Sequence, residues 1–132
     1  MKKRIKIPIY GGDITVVVNP TIEEGYKEIN VVTDRDSLDR VHAMCIVFGG
    51  RQFAMILTPK TTVGEIAHEC FHCVNRTLLD IGYETYPDND EASAYLLNWM
   101  VDEVYNVWNK EVNKVPVPNK PKTNETVEIF IA

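Results

Sequence analysis

Apolar and polar positions alternate with a period of two at the start of the chain. Ile5, Ile7 and Ile9 are separated by Lys6 and Pro8, which predicts a strand over Arg4–Tyr10. Gly11-Gly12-Asp13 reads as a turn and Ile14–Asn19 as a second strand, so the two form a hairpin. Asn19-Pro20-Thr21 breaks the pattern. Thr21 followed by Glu24 resembles a capping box and predicts a short helix over Thr21–Ile29. Thr33–Asp39 reads as a charged loop. Val41–Phe48 is apolar on both alternating faces: Val41, Ala43, Cys45 and Val47 on one, Met44, Ile46 and Phe48 on the other. That is the pattern of an interior strand covered on both sides. Gly49-Gly50-Arg51 turns the chain, and Gln52–Leu57 is expected to return as its partner.

Beyond Pro59 the period changes to that of a helix. Thr62-Val63-Gly64-Glu65 is a capping box that opens a helix over Val63–Ile81, with Gly82 as its stop. A second long helix is expected over Asp90–Asn109, with Leu97, Met100, Val101, Val104, Val107 and Trp108 along its apolar stripe. Lys110–Glu125 is rich in Pro, Lys and Asn and reads as an extended linker. Thr126–Ile131 alternates again, as a last strand or a partner-binding arm. The expected fold is α+β. A small, largely antiparallel sheet carries the first long helix, with the second behind it. Residues 1–109 form one domain and 110–132 a linker and arm.

Composition narrows the function classes. A chain of 132 residues suits one core, and a net charge of −5 leaves no basic footprint for nucleic acid, so no nucleic-acid partner is expected. The basic start Lys2-Lys3-Arg4 resembles a signal peptide, but Lys6 and Pro8 interrupt it before an apolar stretch forms. No apolar run approaches the roughly 18 residues of a membrane span. A cytoplasmic protein without membrane partners is the expectation. Cys45, Cys70 and Cys73 are an odd number of thiols within apolar segments, which suits reduced, buried cysteines better than a disulfide framework.

The chemistry lies in His68-Glu69-Cys70-Phe71-His72. Residues four apart on a helix share a face, so two imidazoles can reach one metal ion. Glu69, about 100° further round, can stand beside the metal and take a proton from a metal-bound water. The apolar positions Val63, Ala67, Cys70, Val74, Leu78 and Ile81 fall on the opposite side of the wheel. Hydrolytic zinc sites use three protein ligands and one open position. Glu91, opening the second helix, is the best third ligand. Asp88 and Asp90 are alternatives, and His42 is the one remaining imidazole. Cys70 and Cys73 form C-x-x-C in mid-helix. Redox pairs of that kind sit where a helix begins, so buried thiols are the simpler reading.

His68-Glu69-x-x-His72 followed by Glu91-Ala-Ser-Ala-Tyr-Leu-Leu resembles the gluzincin metallopeptidases, thermolysin-like zincins with a glutamate ligand on a later helix. It looks most like the minimal versions found among phage and prophage proteins and among stress-response peptidases paired with phage-type repressors. The matching stretch runs from Val41 to Val104. The resemblance implies one Zn2+ per chain on His68, His72 and Glu91, with Glu69 as general base and proton shuttle. It implies a peptide or protein substrate, which would pair in extended form with one strand of the Val41–Leu57 hairpin, Gln52–Leu57 being the candidate. Tyr83, Tyr86 and Tyr95 are candidates for steadying the oxyanion. Tyr95 stands four residues after Glu91, where thermolysin-like enzymes carry an aspartate. The alternative function is a non-catalytic phage or mobile-element protein with a structural or sensory zinc site.

Overall fold

Pro8 ends the first strand earlier than alternation suggests. The computed structural model describes residues 1–33, 38 and 40–114. In it β1 spans Lys2–Lys6. Pro8 has no N–H to give a ladder, and Tyr10 N–H turns back to the Pro8 carbonyl at 2.7 Å. β2 spans Asp13–Val18 and pairs antiparallel with β1, from Lys2 opposite Val17 to Lys6 opposite Asp13. α1 spans Ile22–Glu28, capped by Thr21, whose hydroxyl accepts Glu24 N–H at 3.1 Å. The charged loop expected over Thr33–Asp39 lies mostly outside the described residues.

β3 spans Ala43–Gly49 and β4 spans Gln52–Leu57, joined by the expected hairpin, with a bulge between Val47 and Gly49. The sheet order is β1-β2-β4-β3. β4 lies parallel to β2, Asp13 opposite Gln52 through Val18 opposite Leu57, because β3 starts at the end of the sheet where β2 finishes and runs back before β4. The rest of the sheet is antiparallel. This order reverses one expectation: β4 is interior, and β3 is the edge. β3 is nevertheless partly buried on both faces over Ala43–Ile46, while Val47 and Phe48 are exposed. Ala43 and Cys45 pack toward one core cluster, Met44 and Ile46 toward the other. Apolarity on both faces reports helices above and below a strand and says nothing of hydrogen-bonded neighbours.

The sheet is therefore the middle of three layers. On one side Val17 and Ile56 meet Ile22 and Tyr26 of α1. α1 sits directly on the strands at Gly25, where a Cβ would fall 2.2 Å from Ile56 Cγ2. On the other side Ile14, Val16, Phe53, Met55 and Leu57 meet two long helices. α2 spans Val63–Asp80 and α3 spans Glu91–Val112; they pack on one another, α2 also against β3 and α3 against β2. Ile66, Val74 and Leu78 of α2 and Leu96, Met100 and Val104 of α3 are buried. Each such side chain contributes about 1.5–3 kcal/mol by leaving water. α3 continues through Lys110–Val112, where a linker was expected, since no proline intervenes before Pro116. The remainder of the linker and the strand expected over Thr126–Ile131 lie outside the described residues. Among the described residues no helix is long and apolar enough to cross a membrane.

Three hydrogen bonds fix where α2 begins. Trp108 Nε1–H donates to the Thr58 carbonyl at 2.8 Å, tying α3 to the end of β4. Thr61 Oγ1 accepts Thr58 N–H at 2.9 Å and donates to the His42 carbonyl. The start of α2 is thus held beside the start of β3.

Candidate metal centre

The capping box sets the phase of α2. Thr62 Oγ1 accepts Glu65 N–H at 3.1 Å, and Glu65 Oε1 accepts Thr62 N–H at 2.9 Å. From that start Ile66, Cys70, Cys73, Val74, Thr77 and Leu78 turn inward, while His68 and His72 face out. Val63 and Ile81, expected in the apolar stripe, are exposed at the two ends. The rings of His68 and His72 meet edge-on, 4.9 Å between centroids and 79° between planes. Their Nε2 atoms are 3.2 Å apart.

That separation tests the fit to a metal. Two nitrogens bound tetrahedrally at 2.0–2.1 Å to one zinc lie roughly 3.3 Å apart. The two imidazoles thus present their nitrogens at about the span a shared ion requires. Glu69 completes a cluster whose potential ligand atoms all lie within 4.8 Å of one another. Its side chain is set low beside the exposed imidazoles, 9% exposed overall. These three residues form a group that could hold a metal ion.

Glu91 is exposed in the first turn of α3 and is not part of this cluster; Asp88 and Asp90 are exposed and also outside it. The loop before α3 is organised by Asn89, whose Nδ2 donates to the Glu84 carbonyl at 3.1 Å and whose carbonyl accepts the Tyr83 hydroxyl. Tyr86 donates its hydroxyl to Glu84 Oε2. Two of the three tyrosines considered for the oxyanion are thus engaged within this loop. Tyr95 is 71% exposed on α3.

The imidazole face borders two shallow grooves along the seam of β3 and α2. One, of about 480 Å³, is lined by His42, Ala43, Glu65, His68 and Glu69 among others. The second, of about 420 Å³, runs past His72 between Cys45 and Val47 on one wall and Arg76 and Leu79 on the other. No motif marks His42 as more than an ordinary strand-end residue. The Thr61 contact to its backbone brings it to the wall shared with His68 and Glu69.

Behind the histidines lie the thiols. All three are free. Burial pushes the Cys70 thiol up to about 12, helped by the nearby Cys45 and Glu69. Cys73 is raised as well, first by its hydrogen bond with Cys45 and then by burial. Both are neutral thiols at neutral pH, turned away from the imidazole face.

Comparison of the chain with protein-family models, with curated proteins and with solved structures gave no match.

Proposed function

We propose that this chain is a zinc-dependent peptidase of the minimal gluzincin type. One observation carries the reading. His68 and His72 present Nε2 atoms 3.2 Å apart on an exposed helix face, with the Glu69 carboxylate in the same cluster. Glu91 is the proposed third ligand, since α3 packs on α2 and its first turn carries that carboxylate. When bound, the zinc supplies Lewis-acid polarisation of a peptide carbonyl and a water acidic enough to lose its proton near neutral pH.

The chain's own residues do the rest. Glu69 accepts the proton of the attacking water and returns it to the leaving amine. The helix holds it beside His68 without a flexible loop between them. The proposed donor to the developing oxyanion is His42, which lines the same groove as His68 and Glu69. The substrate lies in the grooves on either side of the imidazoles. Among the described residues β3 pairs only with β4, so its outer edge can accept an extended peptide. The docking strand proposed is therefore Ala43–Gly49, in place of Gln52–Leu57, which is enclosed by β2 and β3. The apolar wall of Val47 and Leu79 favours apolar side chains on the His72 side.

The exposure of both imidazoles supports catalysis over a structural ion, because structural zinc sites are closed by protein on all four sides. The test is cleavage of a broad peptide library by zinc-loaded protein, loss of cleavage with a chelator, and recovery on adding zinc back. No cleavage dependent on zinc across library and folded protein substrates contradicts the proposal.

A further inference from the structure

Cys70 and Cys73 are neighbours in the sequence, but the structure pairs Cys73 elsewhere. Its Sγ lies 3.2 Å from the Sγ of Cys45, across the junction of α2 and β3. A disulfide bond is 2.03–2.05 Å, so closure takes about 1.2 Å of approach. Access to the two sulfurs differs. Cys73 is fully buried. Cys45 is partly exposed and lines the groove that also holds His72 and Arg76. One thiol can therefore meet a small molecule from solvent while the other waits in contact behind it. This is the arrangement of an attacking and a resolving cysteine.

We propose that Cys45 and Cys73 form a reversible disulfide site that exchanges with a low-molecular-weight disulfide such as oxidised glutathione. The Cys45 thiolate attacks one sulfur of the oxidant, its proton passing to solvent. The oxidant's S–S bond breaks and one thiolate leaves. Cys73 then gives up its proton and attacks the Cys45 sulfur, and the second thiolate leaves. Two thiols lose two protons and two electrons; the oxidant gains both and becomes two thiols. The contact between the sulfurs makes the second step intramolecular, which offsets the burial of Cys73. Arg76 on the groove wall is ion-paired with Asp80 at 3.8 Å, a partly exposed pair that can open to a carboxylate of the oxidant. The closed bond ties the edge strand to the helix one residue past His72. The site needs no metal, so it stands or falls apart from the peptidase reading.

The experiment treats full-length protein, freed of metal by chelator, with oxidised glutathione over a range of ratios to reduced glutathione. Free thiols are counted after denaturation, and disulfides are located by peptide mass mapping. Two of the three thiols should disappear together, with a Cys45–Cys73 peptide pair, a free Cys70, an upward shift in Tm and full reversal by dithiothreitol. Cys70→Ser should behave as wild type. Cys45→Ser and Cys73→Ser should form no internal disulfide, and Cys45→Ala and Cys73→Ala repeat the test should a buried hydroxyl unfold the protein. Three free thiols at the most oxidising ratio would overturn the proposal. So would a persistent glutathione adduct on Cys45, a Cys70–Cys73 bond, or bonds between chains.

Discussion

His68 Nε2 and His72 Nε2 stand 3.2 Å apart on an exposed face of α2, with the buried Glu69 side chain at its margin. The two rings cannot both donate across that gap. Either one nitrogen donates to the other, or both turn their lone pairs to a shared cation. The second arrangement predicts that the purified protein, resupplied with zinc and freed of excess, retains about one zinc per chain. His68→Ala and His72→Ala should each bring retention close to zero with the fold intact. Retention unchanged in both, measured by elemental analysis, would remove the metal from this face.

The third ligand is separable by charge. Glu91→Gln keeps the size of the side chain but replaces a carboxylate by a poorer amide ligand, so zinc affinity should fall by at least about tenfold. Asp88→Asn and Asp90→Asn should leave it nearly unchanged. Competitive titration with a fluorescent chelator decides between them; a loss confined to Asp90→Asn would move the ligand by one residue.

The seat of α1 on the sheet gives a packing prediction. A methyl at Gly25 would fall 2.2 Å from Ile56 Cγ2, and both are buried. Gly25→Ala should destabilise the protein by about 1–3 kcal/mol, the usual cost of overpacking. Gly64→Ala, where the nearest atom is Thr62 Oγ1 at 3.9 Å, should stabilise by about 0.4–1 kcal/mol. Urea denaturation of both variants measures the contrast. Equal effects would mean that α1 is not packed on the strands as described.

A pH dependence follows from Glu28. Burial raises its carboxyl, but hydrogen bonds from the chain's amino terminus and from Asn19 Nδ2 at 2.9 Å more than offset this, and it titrates below its ordinary value of 4.5. The folded state thus holds its proton less tightly than the unfolded state. Its contribution is complete above the unfolded value and is lost as pH falls through the folded one. Wild type should lose more stability than Glu28→Gln as pH falls from roughly 5 to 3. Parallel curves for the two proteins in that window would contradict the assignment.

The helices and the imidazole pair were legible because their signals are local. The Thr62–Glu65 box, the 3.6-residue period and the spacing of His68 and His72 lie within one stretch of chain. The edge position of β3 was not legible. It depends on β2 pairing with β4 across α1 and β3, and the apolar residues Ala43–Ile46, partly buried on both faces, imitate an interior strand. Two neighbourhoods were hidden for the same reason. His42 reaches the wall beside Glu69 through a contact with Thr61, and Cys45 reaches Cys73 from another element, so no spacing in the sequence marks either pair.

Whether the cluster is catalytic turns on Glu69. Glu69→Gln preserves size and shape while removing the basic oxygen. The measurement is cleavage of a peptide library by zinc-loaded wild-type and Glu69→Gln protein, with metal content determined in both. Zinc content should be equal in the two, and cleavage should fall by about 10²–10⁴, the share of a positioned general base. Equal cleavage by the two zinc-loaded proteins would contradict a catalytic role.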